Sequence, residues 1–156
     1  MNRKSIMEKK VYIGNDTAGY YLKSKCIEYL EGKGIAVADK GCYNKDSVDY
    51  PAFGHAVAKA VANGECEKGI VICTTGIGIS ISANKVPGVR CALCADSFSA
   101  KMTRLHNDAN VLCLGGRVVT PEKAIELVDI FLDTKFSGEE RHQRRIDQII
   151  DLENRF

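Results

Sequence analysis

Residues 69–85 read GIVICTTGIGISISANK, and the fold of the chain turns on how this stretch is parsed. Ile70-Val71-Ile72 is an apolar run of the kind a strand buried on both faces shows. The chain then turns through Cys73-Thr74-Thr75-Gly76-Ile77-Gly78 into a segment able to form a helix. A thiol, two hydroxyls and two glycines therefore sit where a parallel strand ends and a helix begins. In open α/β sheets that edge is where ligands bind. Glycines there let backbone N–H groups come close to an anion, and a helix N-terminus adds partial positive charge. A tight βα turn holding a merely structural cysteine is the alternative these residues leave open.

Working outward, the same strand–helix alternation recurs on both sides. Upstream, residues 9–14 (KKVYIG) read as a strand, and Asn15-Asp16-Thr17-Ala18-Gly19 as its turn into a helix. That helix carries Leu22, Cys26, Tyr29 and Leu30 on one face and stops at Gly32 and Gly34. Residues 35–39 form a short second strand, and residues 41–50 a polar connection. Pro51 sits near the start of the next helix, where proline is tolerated, and that helix runs to about Ala62 with Phe53, Val57, Ala60 and Val61 on one face. Downstream, Pro87-Gly88 marks a break, residues 89–95 a fourth strand, residues 97–105 a helix and residues 110–114 a fifth strand. Gly115-Gly116-Arg117 follows, then a helix over 121–133 with Ala124, Ile125, Val128, Phe131 and Leu132 at helical spacing, and a charged helix from about Glu139 to Asn154. The pattern predicts one doubly wound, Rossmann-like α/β domain: a mainly parallel five-stranded sheet, helices on both faces and a C-terminal helix. It spans residues 9–156, with residues 1–8 a disordered extension. The spaced G-x-G-x-x-G fingerprint and a Walker Gly-Lys-Ser/Thr are both absent, which disfavours dinucleotide and nucleotide triphosphate binding.

Charge and composition narrow the function further. A net charge of +2 over 156 residues argues for neither nucleic acid nor a membrane surface as partner. No apolar run is long enough to cross a bilayer, and MNRKSIME lacks the apolar core of a signal peptide, so a cytoplasmic protein is expected. Seven cysteines, an odd number set mostly in apolar stretches, fit reduced thiols. Cys91 and Cys94 form a C-x-x-C, but positions three apart on a strand face opposite ways and no second pair completes a metal site. They read as core.

Polar residues gather at the strand ends: Asp16 after strand one, Cys73 and Thr75 after strand three, Asp96 and Ser97 after strand four. His106-Asn107-Asp108 precedes strand five instead, which puts it at the opposite edge of the same subunit. A site using both edges would need a neighbouring subunit; a histidine facing a helix C-terminus is the simpler reading of His106. On the last helix Arg141 and Arg145 share a face, away from Ile146, Ile149 and Ile150. Paired guanidinium groups suit a phosphate, and Arg117 would add a third, although a solvated charged face is the ordinary meaning of such a pair.

Taken together, Asp16, Val48-Asp49-Tyr50-Pro51, CTTGIGISISANK at 73–85, RLHNDANV at 104–111, GGRVV at 115–119 and RHQRR at 141–145 resemble the ribose-5-phosphate isomerase B family, in order from about residue 9 to the end. That wider family includes the subunits of galactose-6-phosphate isomerase. The resemblance implies interconversion of D-ribose 5-phosphate and D-ribulose 5-phosphate, with no metal or organic cofactor. It also implies a homodimer or higher homo-oligomer with active sites at the subunit interface. On it, Cys73 is the base and Thr75 orients it or relays a proton. The N–H groups of Gly76, Ile77 and Gly78 can form an anion hole, Asp16 and His106 contact the sugar at the end where its ring opens, and Asn107 helps bind the enediolate. Tyr50 lines the pocket, and Arg117, Arg141 and Arg145 hold the phosphate.

Two positions differ within that resemblance. Ile79 stands where some members carry a glutamate base, which places this chain with the cysteine class. Thr17 stands where members commonly have histidine; it can bond to a sugar or phosphate oxygen but cannot titrate near neutral pH, so it bears on sugar preference and ring opening. An isomerase of allose or galactose 6-phosphate, and a non-catalytic sugar-phosphate-binding subunit, are the competing readings.

Overall fold

Alternating apolar residues on each strand require cover on both faces of the sheet, and the helices provide it. A computed structural model describes residues 10–42 and 48–155. The extension expected over residues 1–8 and the middle of the polar connection before Tyr50 lie outside the described residues. The strands are β1 (Lys10–Asn15), β2 (Ala36–Asp39), β3 (Lys68–Cys73), β4 (Cys91–Leu93) and β5 (Val111–Gly115). The helices are α1 (Tyr20–Gly32), α2 (Tyr50–Ala62), α3 (Ile77–Ala83), α4 (Ser97–Asn107), α5 (Pro121–Asp133) and α6 (Glu140–Glu153). A short 3-10 turn, Thr17–Gly19, precedes α1. The five strands pair in the order β2-β1-β3-β5-β4, every pair parallel.

Side chains alternate between two cores. Val11, Ile13, Ile70, Ile72, Leu112 and Leu114 point to the face covered by α1, α4 and α5, where Leu30, Leu127 and Phe131 are fully buried. Tyr12, Val71, Cys73, Val111 and Cys113 point to the face covered by α2 and α3. Cys91 packs against that second core while Cys94 lies in the first, so the C-x-x-C splits across the sheet as its spacing requires. Neighbouring strands send their chains to opposite faces: β1 leads to α1 on one side, β3 to α3 on the other, and β5 to α5 on the first again. The C-terminal end of β3 is therefore flanked by a crevice on each side, the position where open α/β sheets bind ligands.

Several boundaries differ from the sequence reading by one or two residues, and one strand is much shorter than expected. β1 is shifted by one residue, ending at Asn15, and β2 begins at Ala36. The fourth strand, expected over 89–95, shrinks to three residues. On its N-terminal side the Val89 N–H closes a turn onto Val86 (3.1 Å) and the Arg90 N–H goes to Asn110 Oδ1 (2.8 Å), while the N–H of Cys91, the strand's first residue, goes to Asn84 Oδ1 (2.8 Å). The Asn110 side-chain amide has taken a donor that a longer edge strand would use.

Candidate active site

The turn after β3 is held by its neighbours on both sides. The Asp16 N–H donates to the Ile72 carbonyl (3.1 Å), Gly116 N–H to Cys73 (2.7 Å) and Arg117 N–H to Thr74 (3.0 Å). The β1 turn with Asp16 and Thr17, the β3 turn with Cys73 and Thr75, and the β5 turn with Arg117 are thus one continuous surface. Gly76, at the N-cap of α3, has φ +81°, a conformation open mainly to glycine, and a Cβ there would lie 2.4 Å from Leu93 Cδ1. A Cβ on Gly78 would stand 2.4 Å from the Tyr50 ring, so Tyr50, at the start of α2, lies directly over the glycine loop.

Cys73 is 4% exposed and accepts a hydrogen bond from the Gly76 N–H at 3.1 Å. Such a bond strengthens when the sulfur is ionised. Thr75 Oγ1 accepts the Ile77 N–H at 3.1 Å, which leaves the hydroxyl proton to donate outward. Of the three N–H groups expected to form an anion hole, two are therefore engaged by the loop's own side chains, and Gly78 alone has no acceptor among the described residues. From below, the Cys113 thiol donates to the Gly76 carbonyl at 2.9 Å. Its bond to Cys91 and then its burial push the Cys113 thiol well above the usual range, so it stays a proton donor. Burial likewise raises Cys26 to about 12 and Cys94 to about 11, which keeps those thiols inert.

Beneath Asp16 lies a buried polar layer that the sequence reading missed. Asn15 is fully buried and donates through Nδ2 to the Asp16 carbonyl (2.7 Å) and to Cys42 Sγ (3.3 Å). Lys23 is 2% exposed, bonded to Asp39 (2.9 Å) and to the Cys42 carbonyl (2.5 Å). The available signal was a lysine set among the apolar positions of α1. One Asp16 oxygen caps the 3-10 turn through Gly19 N–H (3.0 Å), and Oδ2 has no partner among the described residues. Asp96, by contrast, spends both oxygens on Ser99, whose N–H (2.7 Å) holds the carboxyl below the usual carboxylate range. It caps α4 and Ser97 bonds Glu126, so neither joins the candidate site.

His106, Asn107, Arg141 and Arg145 lie elsewhere. His106 and Asn107 close α4 at the N-terminal edge of the sheet, and β5 separates that edge from the Cys73 turn by roughly 17 Å at about 3.3 Å per residue. Arg90 and Arg104, also unforeseen, brace this corner. Arg90 Nε donates to the Asn107 carbonyl (2.8 Å), and Arg104 donates to Asp108 Oδ1 (2.8 Å) and the Ala109 carbonyl (2.6 Å). Arg141 pairs with Glu139 at 2.9 Å; Arg145 and Arg117 pair with no carboxylate among the described residues. Within the chain, then, Arg117 shares the edge with Cys73, and Arg141 and Arg145 share the other edge with His106.

Known proteins with this arrangement form a consistent set. Residues 11–149 match the family described as Ribose/Galactose Isomerase. Ribose-5-phosphate isomerase B of Escherichia coli is 44% identical over 147 residues, covering 94% of this chain and 98% of that protein. The ribose-5-phosphate isomerase B structure from Clostridium thermocellum superposes with a TM-score of 0.91 at 50% identity, over 93% of this chain and 97% of that one. The ribose-5-phosphate isomerase B of Mycoplasma genitalium, solved with bound ribulose-5-phosphate, gives a TM-score of 0.89 at 43% identity, over 94% of this chain and 97% of that one.

Proposed function

The chain belongs to the ribose/galactose isomerase family, and from that premise we propose that it interconverts D-ribose 5-phosphate and D-ribulose 5-phosphate with Cys73 as the base. The observation that carries the reading is the Cys73 thiol, held by the Gly76 N–H at the end of β3 between the Asp16 turn and the Arg117 turn.

With the aldose open, the Cys73 thiolate takes the C2 proton and the electron pair moves toward C1, leaving an enediolate with its charge on O1. The thiol returns the proton to C1, O1 gains a proton, and O2 loses one to become the ketone. Thr75, whose oxygen accepts the Ile77 N–H, relays the proton between the two oxygens. The Gly78 N–H and Asn107 hold the developing charge. Opening the furanose needs a proton for the ring oxygen and a base for the C1 hydroxyl, which fall to His106 and Asp16. Thr17 and Tyr50 contact the sugar, and Arg117, Arg141 and Arg145 hold the phosphate.

Because His106, Asn107, Arg141 and Arg145 sit at the far edge of their own subunit, they serve the Cys73 of a partner. An apolar collar around the Cys73 turn supports that assembly. Ile77 and Ile81 on α3, Leu93 over Gly76, Phe98 on α4 and Val118 after β5 are 41–73% exposed. A patch of this kind marks an interface more often than a free surface. No helix among the described residues is long and apolar enough to cross a membrane, and seven cysteines that form no disulfide among the described residues suit the reducing cytoplasm.

Steady-state assay on ribose 5-phosphate beside allose 6-phosphate and galactose 6-phosphate tests the reading. The expected result is a clear kcat/KM advantage for ribose 5-phosphate. Preference for a hexose phosphate would keep the chemistry and move the substrate; no turnover on any of them would overturn the assignment.

A further inference from the structure

The first turn of α6 buries a histidine that the reaction as described does not use. His142 is 4% exposed, and its Nε2 is buried without a hydrogen-bond partner among the described residues. Glu139 Oε2 comes only to 3.9 Å, beyond hydrogen-bonding reach. A buried imidazole nitrogen left unpaired is costly, so its retention needs a reason. The reason lies on its face: the His142 ring stacks on His106 with centroids 4.2 Å apart and 18° between planes.

The two rings sit at opposite poles. His106 is in the last turn of α4, where a helix dipole suits a cation, and His142 is in the first turn of α6, where it does not. The charged or titratable groups that act on His142 are Glu139, Arg141 and Arg145 from its own segment and His106 from α4. Burial foremost, then His106 and Arg141, hold the His142 imidazole below the ordinary imidazole value.

Resting on the isomerase reading above, we propose that His142 is a positioning residue: a buried plate that fixes the plane of the His106 ring for ring opening in the partner subunit's site. It touches no substrate. Its fixed face removes the rotation that an exposed helix-terminal imidazole would otherwise have.

The test compares the purified enzyme with H142N and H142F. H142N removes the ring, and H142F keeps a flat ring of similar size without nitrogen. For H142N the expected loss is about tenfold in kcat on ribose 5-phosphate, since misplacing a proton-transfer group costs on this scale. The acid limb of the pH profile shifts with it, and competitive inhibition by inorganic phosphate is unchanged. H142F restores most of kcat. A wild-type kcat in H142N overturns the proposal. So does phosphate inhibition that weakens in step with kcat, because His142 would then merely seat the helix that carries Arg141 and Arg145. Failure of H142F to recover kcat overturns the stacking role. Exchange of solvent deuterium into C1 of ribulose 5-phosphate, which needs no ring opening, separates the two levels: it should persist in H142N at the wild-type rate. Its loss there also overturns the role, whereas absence of isomerisation by the wild-type enzyme would sink the function and not this contact.

Discussion

Replacing Cys73 separates its chemical from its structural part. In Cys73→Ala the Gly76 N–H loses the acceptor it has at 3.1 Å. An unsatisfied buried donor costs about 1–3 kcal/mol, and the lost sulfur contacts beside Val71, Ile79 and Cys113 add to that. A total of ~2–3 kcal/mol corresponds to a Tm lower by roughly 5–10 °C for a chain of this size. Cys73→Ser keeps an acceptor for the N–H and should recover much of that stability. Its hydroxyl is no base near neutral pH, so kcat should fall about 100-fold or more in both variants. Calorimetric or dichroism melts are read beside turnover of ribose 5-phosphate. Activity in the serine variant within tenfold of wild type would refute Cys73 as base. Equal melting of wild type and the alanine variant would refute the structural role of the Gly76 contact.

Two further predictions concern the assembly and acid. Cys73→Ala and His106→Asn should each be inactive alone, yet mixing and reassociating them should restore about a quarter of wild-type activity, because half the dimers then hold one intact site of two. Activity that stays absent in demonstrated mixed dimers would place His106 outside a shared site. Acid should destabilise the protein partly through His142: its folded-state pKa lies below the unfolded value of 6.5, so the unfolded chain binds the proton first. The stability it contributes is fully present above the unfolded value and is lost as pH falls through 6.5 toward the folded value. Tm measured from pH 7.5 to 5 should therefore fall less steeply in H142N than in wild type; parallel curves would show that this imidazole does not titrate on unfolding.

Much of the fold follows from the chain read locally. Two-residue alternation in Ile70–Cys73 and Val111–Leu114 determines which side chains face each helical layer, and it divided Cys91 from Cys94 without any structure. Glycine at 76 and 78 marks where backbone must turn left-handed or pass beneath a ring, and strand ends so marked are where a parallel sheet binds ligands. The family motifs, read in order, were enough to name the chemistry. Contacts between residues distant in the chain were not legible, because packing and not periodicity sets them. Asn110 took a donor that a longer β4 would use, and Asn15, Lys23 and Arg104 became buried braces, and Arg90 a half-buried one, through partners 16 to 30 residues away. Thr75 and Cys73 turned inward to cap α3, closing two of the three N–H groups that the sequence left open. The stack of His106 on His142 depends on where α6 crosses the end of α4, a relation between two helices 32 residues apart that no local pattern encodes.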